Sequence, residues 1–189
     1  MTTTVDSIES AVAQLLPRLA QGSRLVLIDG YSGAGKSTLA QQLHQQSAAS
    51  QPTRLLRLDD IYPGWDGLAA GADEVAARVV VPLSQGQPGW WRPYDWQAGT
   101  KGAPVRVDPG PALIIEGVGA LHPDSAAHAS ARVWVDAPTA VRRERALARD
   151  GDTYRPHWDR WAAQEAAYLQ TDPLSRADLI VHLAGKDTQ

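Results

Sequence analysis

The 189-residue sequence has no cysteine, no phenylalanine and a single methionine. Without cysteine there can be no disulfide, zinc-thiolate centre or thiol nucleophile, and such a composition suits a reducing compartment. Charge of either sign is also in short supply: 18 Lys and Arg against 21 Asp and Glu leave a net −3. That balance gives no basic footprint for nucleic acid or an anionic membrane. No apolar run approaches the ~20 residues that span a bilayer. The opening MTTTVDSIES lacks the basic-then-apolar order of a secretory leader. The expectation is a cytoplasmic protein whose partner is neither nucleic acid nor membrane.

The missing phenylalanine is balanced by seven tryptophans. Trp65, Trp90, Trp91 and Trp96 fall in one central stretch, as core filling or as a surface for a flat ligand. Apolar runs elsewhere alternate with amphipathic ones. Val5, Ile8, Val12, Leu15, Leu16 and Leu19 recur at helical spacing, predicting a helix before the first strand. Residues 24–29, 54–58, 112–116, 132–136 and 178–183 are short apolar runs that predict strands. Helices are predicted over 36–46, 72–83, 139–149 and 158–169, loops over 61–71 and 151–156, and short extended pieces over 85–108. Continuously apolar strands alternating with helices predict a three-layer α/β domain over residues 1–189, with a mainly parallel sheet covered on both faces.

Residues 30–37, Gly-Tyr-Ser-Gly-Ala-Gly-Lys-Ser, fit the P-loop pattern G-x-x-x-x-G-K-[ST] between a strand and a helix. Tight glycine turns let successive N–H groups converge on a phosphate, and the helix that follows adds its positive end. The candidate nucleotide-binding set is Gly30, Ser32, Gly33, Ala34, Gly35, Lys36, Ser37 and Thr38. Lys36 supplies a mobile cation and Ser37 a Mg²⁺ ligand, so ATP or GTP with Mg²⁺ is expected. The dinucleotide fingerprint G-x-G-x-x-G fails, because Thr38 stands at its third glycine.

Further absences narrow the P-loop class. The sequence holds no N-K-x-D base-reading motif and no L-S-G-G-Q-like signature, and it is short for a helicase or AAA+ motor. A small kinase needs an acid near the acceptor, an acid near Mg²⁺ and an arginine lid. Asp59 and Asp60 end the second predicted strand, where either carboxylate could take a hydroxyl proton or hold Mg²⁺ through water. Glu116 ends the run ALIIE in a Walker-B-like position. Arg142, Arg145 and Arg149 are spaced three and four apart, on one helix face, before the predicted connection at 151–156. That arrangement predicts a lid over about 142–157. The histidines at 122, 128, 157 and 182 have no metal-ligand spacing.

The ordered motifs G-Y-S-G-A-G-K-S, L-D-D-I-Y (58–62), R-P-Y-D-W (92–96), I-I-E-G (114–117) and R-x-x-x-R-D (145–150) resemble the uridine kinase family. That family is grouped with phosphoribulokinase and pantothenate kinase among P-loop kinases. The resemblance implies an ATP-dependent kinase of a small-molecule hydroxyl, with Asp59 as base and Lys36, Arg145 and Arg149 as catalytic cations. It implies Asp59, Tyr62, Tyr94 and Trp96 as acceptor contacts and Ser37 with Glu116 as the Mg²⁺ pair. One departure concerns the acceptor: the family's pyrimidine-reading histidine after Y-D-[FW] is Ala98 here. Asp66 and Asp73 are then the nearby acids left for a ribose diol. A sugar, a vitamin precursor or an antibiotic is the alternative acceptor, and a nucleotide-binding regulatory module the alternative class.

Overall fold

The computed structural model describes residues 2–21 and 24–184. Its centre is a six-stranded sheet made of β1 (Thr3–Val5), β2 (Leu25–Gly30), β3 (Thr53–Arg57), β8 (Ala112–Glu116), β9 (Ala131–Asp136) and β10 (Leu179–His182). The order is β1-β10-β9-β2-β8-β3, and every adjacent pair is parallel. Between β3 and β8 lie two small antiparallel ribbons: β4 (Gly89–Trp91) with β7 (Val105–Val107), and β5 (Tyr94–Asp95) with β6 (Thr100–Lys101).

The period-2 geometry of the strands divides the apolar residues between two cores. On β2, Val26 and Ile28 face one core with Ile114, Val133, Val135 and Val181, covered by α1 (Ile8–Ala20) and α2 (Lys36–Ala48). Leu25 and Leu27 face the other with Leu113, Ile115 and Trp134. That side is covered by α3 (Leu68–Val75), which continues through a π-turn (Ala76–Val80) into α4 (Val81–Ser84). After the short α5 (Pro123–Ala126) come α6 (Thr139–Tyr154) and α7 (Trp158–Leu169), whose Tyr154 and Trp161 close the second core. The three-layer parallel α/β arrangement expected from the sequence is the observed one.

Several expected boundaries move. Val5 belongs to β1, an edge strand paired with β10, rather than to the first helix. Three residues ahead of the Ser7 N-cap are too few to carry a visible alternation. The helix expected from residue 72 begins at Leu68, so the loop before it is shorter. The connection expected over 151–156 is largely helical, interrupted at Gly151, whose φ of 55° and ψ of −134° break α6.

Candidate phosphoryl-transfer site

Three strands adjacent in the sheet, β2, β8 and β3, deliver their carboxyl ends to one edge. Each was read separately in the sequence: β2 ends in the P-loop, β8 in Glu116, and β3 in a 3₁₀ turn (Leu58–Asp60) carrying Asp59 and Asp60. In a parallel sheet all three must open on the same side. They line a cleft of about 700 Å³ with Ser32, Gly33, Lys36 and Ser37.

The loop is shaped by close backbone passage. A Cβ on Gly30 would lie 2.0 Å from the Val135 carbonyl oxygen, and one on Gly33 would lie 2.1 Å from that of Arg142. Both glycines also have positive φ, at 139° and 74°, which L side chains rarely adopt. The N-terminus of α2 has no side-chain cap, so its amides remain for an external anion. Lys36 is 8% exposed, and its Nζ donates to the Tyr31 carbonyl at 2.8 Å. The Ser37 side chain stands beside the Glu116 carboxyl and favours its charged form. Burial pushes the Glu116 carboxyl above its ordinary range and the nearby Asp59 adds to this, while Lys36 and Ser37 oppose it. An uncapped helix start, a lysine and a hydroxyl–carboxylate pair fit a nucleotide triphosphate with Mg²⁺, an ion that takes few protein ligands and keeps waters. Among the described residues, no three His, Asp or Glu side chains gather as a further metal site.

The expected nucleotide set divides. The Ser32 amide already donates to Glu165 Oε1 of α7 at 2.7 Å, and the Ala34 amide to the Tyr31 carbonyl at 3.1 Å. Gly33, Gly35, Lys36, Ser37 and Thr38 make up the rest of the loop and helix start.

The arginine cluster divides too. Arg149 lines the cleft. Arg142 is buried instead: it donates to the Ala137 carbonyl at 3.0 Å and stacks over Tyr31 at 4.1 Å. Arg145 reaches the Ala184 carbonyl at 3.4 Å and is not among the residues of the cleft wall. A helix spacing of three and four places groups on one side, but a side spans wide enough to face both core and solvent.

On the acceptor side, Asp59 is exposed in the cleft. Its carbonyl accepts from Trp96 Nε1 at 2.9 Å. Asp60 also lines the cleft, and burial raises its carboxyl against the pull of Arg57. Tyr62 is 1% exposed and donates to the Val118 carbonyl at 2.6 Å, so its hydroxyl is already used. Tyr94 stands behind Trp96, edge-on at 5.4 Å, outside the cleft wall. Trp65 and Trp96 do line the cleft. Trp90 lies on β4 under Arg106, and Trp91 packs on the second core. Asp66 pairs with Arg160 and Asp73 with His122, which turns both acids away from an acceptor.

Four residues carry roles that no motif announced. Asp29 is fully buried and accepts from the amides of Gly30, Gly119 and Leu121 and from the Tyr168 hydroxyl, at 2.6 to 3.1 Å. It ties the P-loop to the turn after Glu116. Glu165 pins Ser32, and burial raises its carboxyl against Lys36. Tyr154 donates to the Ser32 hydroxyl at 3.0 Å, and Trp161 stands beside Glu165 and favours its charged form. Asp29 was signalled by an acid ending an apolar strand. The others come from distant helices that only the fold brings back.

Residues 2–58 match the model of the Sigma-54 interaction domain family, a stretch that contains the P-loop and is under a third of the chain. No curated protein matches the sequence. Among solved structures, the chain is similar to a possible uridine kinase from Bacillus stearothermophilus, at 20% identity and TM-score 0.66 over 92% of this chain and 98% of that one. It is similar to a provisionally assigned fructose transport system kinase from Silicibacter sp. TM1040, at 21% and 0.56 over 93% and 99%. The YGR205w protein aligns at 10% and 0.55 over 97% and 96%. The fold is thus the three-layer P-loop fold of these proteins.

Proposed function

We propose that the protein is an ATP-dependent, Mg²⁺-requiring kinase of a small-molecule hydroxyl. One observation carries this reading: the P-loop, Asp59, Glu116 and a set of aromatic walls open on a single cleft of about 700 Å³. A module that only bound nucleotide would have no use for a carboxylate across the cleft from the loop. The similarity to structures described as uridine and fructose transport kinases supports a small acceptor.

Mg·ATP supplies the transferable phosphoryl group. The α2 amides and Lys36 hold its phosphates, and Ser37 with Glu116 holds the ion. Asp59 orients the acceptor hydroxyl and takes its proton. Arg149 offsets charge on the transferred group. The bond between Trp96 and the Asp59 carbonyl fixes the base in place.

Asp59 is preferred to Asp60 because the Arg57 guanidinium stands near Asp60 and draws on its charge. The decisive experiment is Asp59→Asn. Mg·ATP should still raise the melting temperature of the variant, while turnover should fall by about 10²–10⁴. Undiminished turnover would remove the base assignment.

The acceptor assigned by resemblance, a nucleoside, is the less favoured one. Ala98 replaces the base-reading histidine, and its amide is bonded to the Asp95 carboxylate in the turn between β5 and β6.

A further inference from the structure

Trp161, Gln164, Glu165 and Tyr168 stand at i, i+3, i+4 and i+7 of α7, which places them on one face of the helix. That face meets both the donor and the acceptor side of the cleft. Glu165 holds the Ser32 amide of the P-loop. Tyr168 donates to Asp29 at 2.6 Å, and Asp29 accepts from the Gly119 and Leu121 amides just beyond Glu116. Trp161 lies edge-on to Tyr62 at 4.9 Å and to Trp65 at 6.5 Å.

Gln164 takes the acceptor side. Its Nε2 donates to the Trp65 carbonyl at 2.6 Å, and its Oε1 accepts from the Leu68 amide at 3.2 Å. The Leu68 amide opens α3 behind Gly67, which has no side chain to cap it. A carbonyl needs a donor and an amide needs an acceptor. Glutamine supplies both in one planar group, whereas glutamate supplies the acceptor alone.

From Trp65 the contacts run on to the base. The Trp65 ring is tilted against Trp96 at 4.8 Å, and Trp96 Nε1 donates to the Asp59 carbonyl. Tyr154 adds a second link, with its hydroxyl on Ser32 and its ring stacked on Trp65 at 5.4 Å. Stacked rings tolerate an offset; a hydrogen bond is short-ranged and directional. The bond from Gln164 is therefore the one that fixes the backbone of residue 65.

We infer that Gln164 is a positioning residue for phosphoryl transfer. Adjacent on one helix, Gln164 and Glu165 set the acceptor wall, and through Trp96 the backbone of Asp59, against the P-loop. Filling the loop therefore moves the wall. This rests on the kinase reading.

The test needs no acceptor. The full chain is labelled with 5-fluorotryptophan, and the Trp65, Trp96 and Trp134 fluorine resonances are assigned by substituting each with Phe. Trp134 lies edge-on to Tyr31 of the P-loop at 5.5 Å, so it reports loop occupancy directly. The probe is Mg²⁺ with the β,γ-imido analogue of ATP, which should shift all three resonances in the parent. Gln164→Glu keeps an oxygen for the Leu68 amide and loses the donor to Trp65; Gln164→Met loses both. In each variant the Trp65 and Trp96 shifts should fall about threefold. The Trp134 shift and the rise in melting temperature with Mg·ATP should persist. A parent-like response in Gln164→Glu would reduce residue 164 to a cap on α3 and overturn the proposal. So would a parent in which Trp65 and Trp96 do not respond; both outcomes leave the donor site standing. No Trp134 shift and no rise in melting temperature in the parent overturn the kinase reading with it.

Discussion

Lys36, Asp59 and Glu165 show how much of this site is decided one side chain at a time. Lys36 waits on the Tyr31 carbonyl, a neutral acceptor that a phosphate can replace. Lys36→Ala should therefore lower kcat by about 10²–10³ with the circular dichroism spectrum unchanged. Glu165 is 6% exposed, and burial holds its carboxyl above the ordinary glutamate value of 4.5. A carboxyl raised in the folded state costs stability as pH rises from its unfolded value through its folded one. Glu165→Gln removes that cost and keeps an oxygen for the Ser32 amide. Its melting temperature should exceed that of the parent by more at pH 8 than at pH 5. An equal or reversed difference in a thermal melt would mean that the charged form is the one the fold favours.

At the scale of elements, the P-loop is held as one unit with α6 and α7. The Arg142 carbonyl of α6 occupies the space a side chain on Gly33 would need, while Tyr154 and Glu165 hold Ser32 from beyond Gly151. Gly33→Ala should force loop and helix apart, abolishing the thermal shift produced by Mg·ATP. Gly151→Ala meets no neighbour but keeps a backbone conformation closed to alanine, so about 1–3 kcal/mol of stability should be lost, measurable by urea unfolding. Element types were legible because apolar runs and helical spacing are local signals; the strands over 112–116 and 132–136 were read within one residue of their bounds. The π-turn at 76–80 and the strand at Thr3–Val5 were not. The first is a ring-size change inside a continuous helical pattern, and the second exists only because β10 lies beside it.

For the whole molecule, no described helix is long and apolar enough to cross a membrane. The donor half of the site should stabilise the entire fold when filled. At a ligand concentration of 100 Kd the linkage gain is about 2.7 kcal/mol, or roughly 5–10 °C for a chain this size. Differential scanning fluorimetry with and without Mg²⁺ checks this, and the shift should depend on the ion through Ser37 and Glu116.

The sequence alone determined the P-loop, the alternation of strands and helices and the positions of Asp59 and Glu116, because each is written in consecutive residues or a short fixed spacing. The tertiary structure decided which of these meet, by placing β2, β8 and β3 side by side. It also decided which arginine faces the cleft and which tryptophans form its wall. Those choices depend on how α6 and α7 fold back across the sheet, bringing residues 154–165 to residue 32. No local spacing encodes a contact of that separation; it is set by burying one core against both helices.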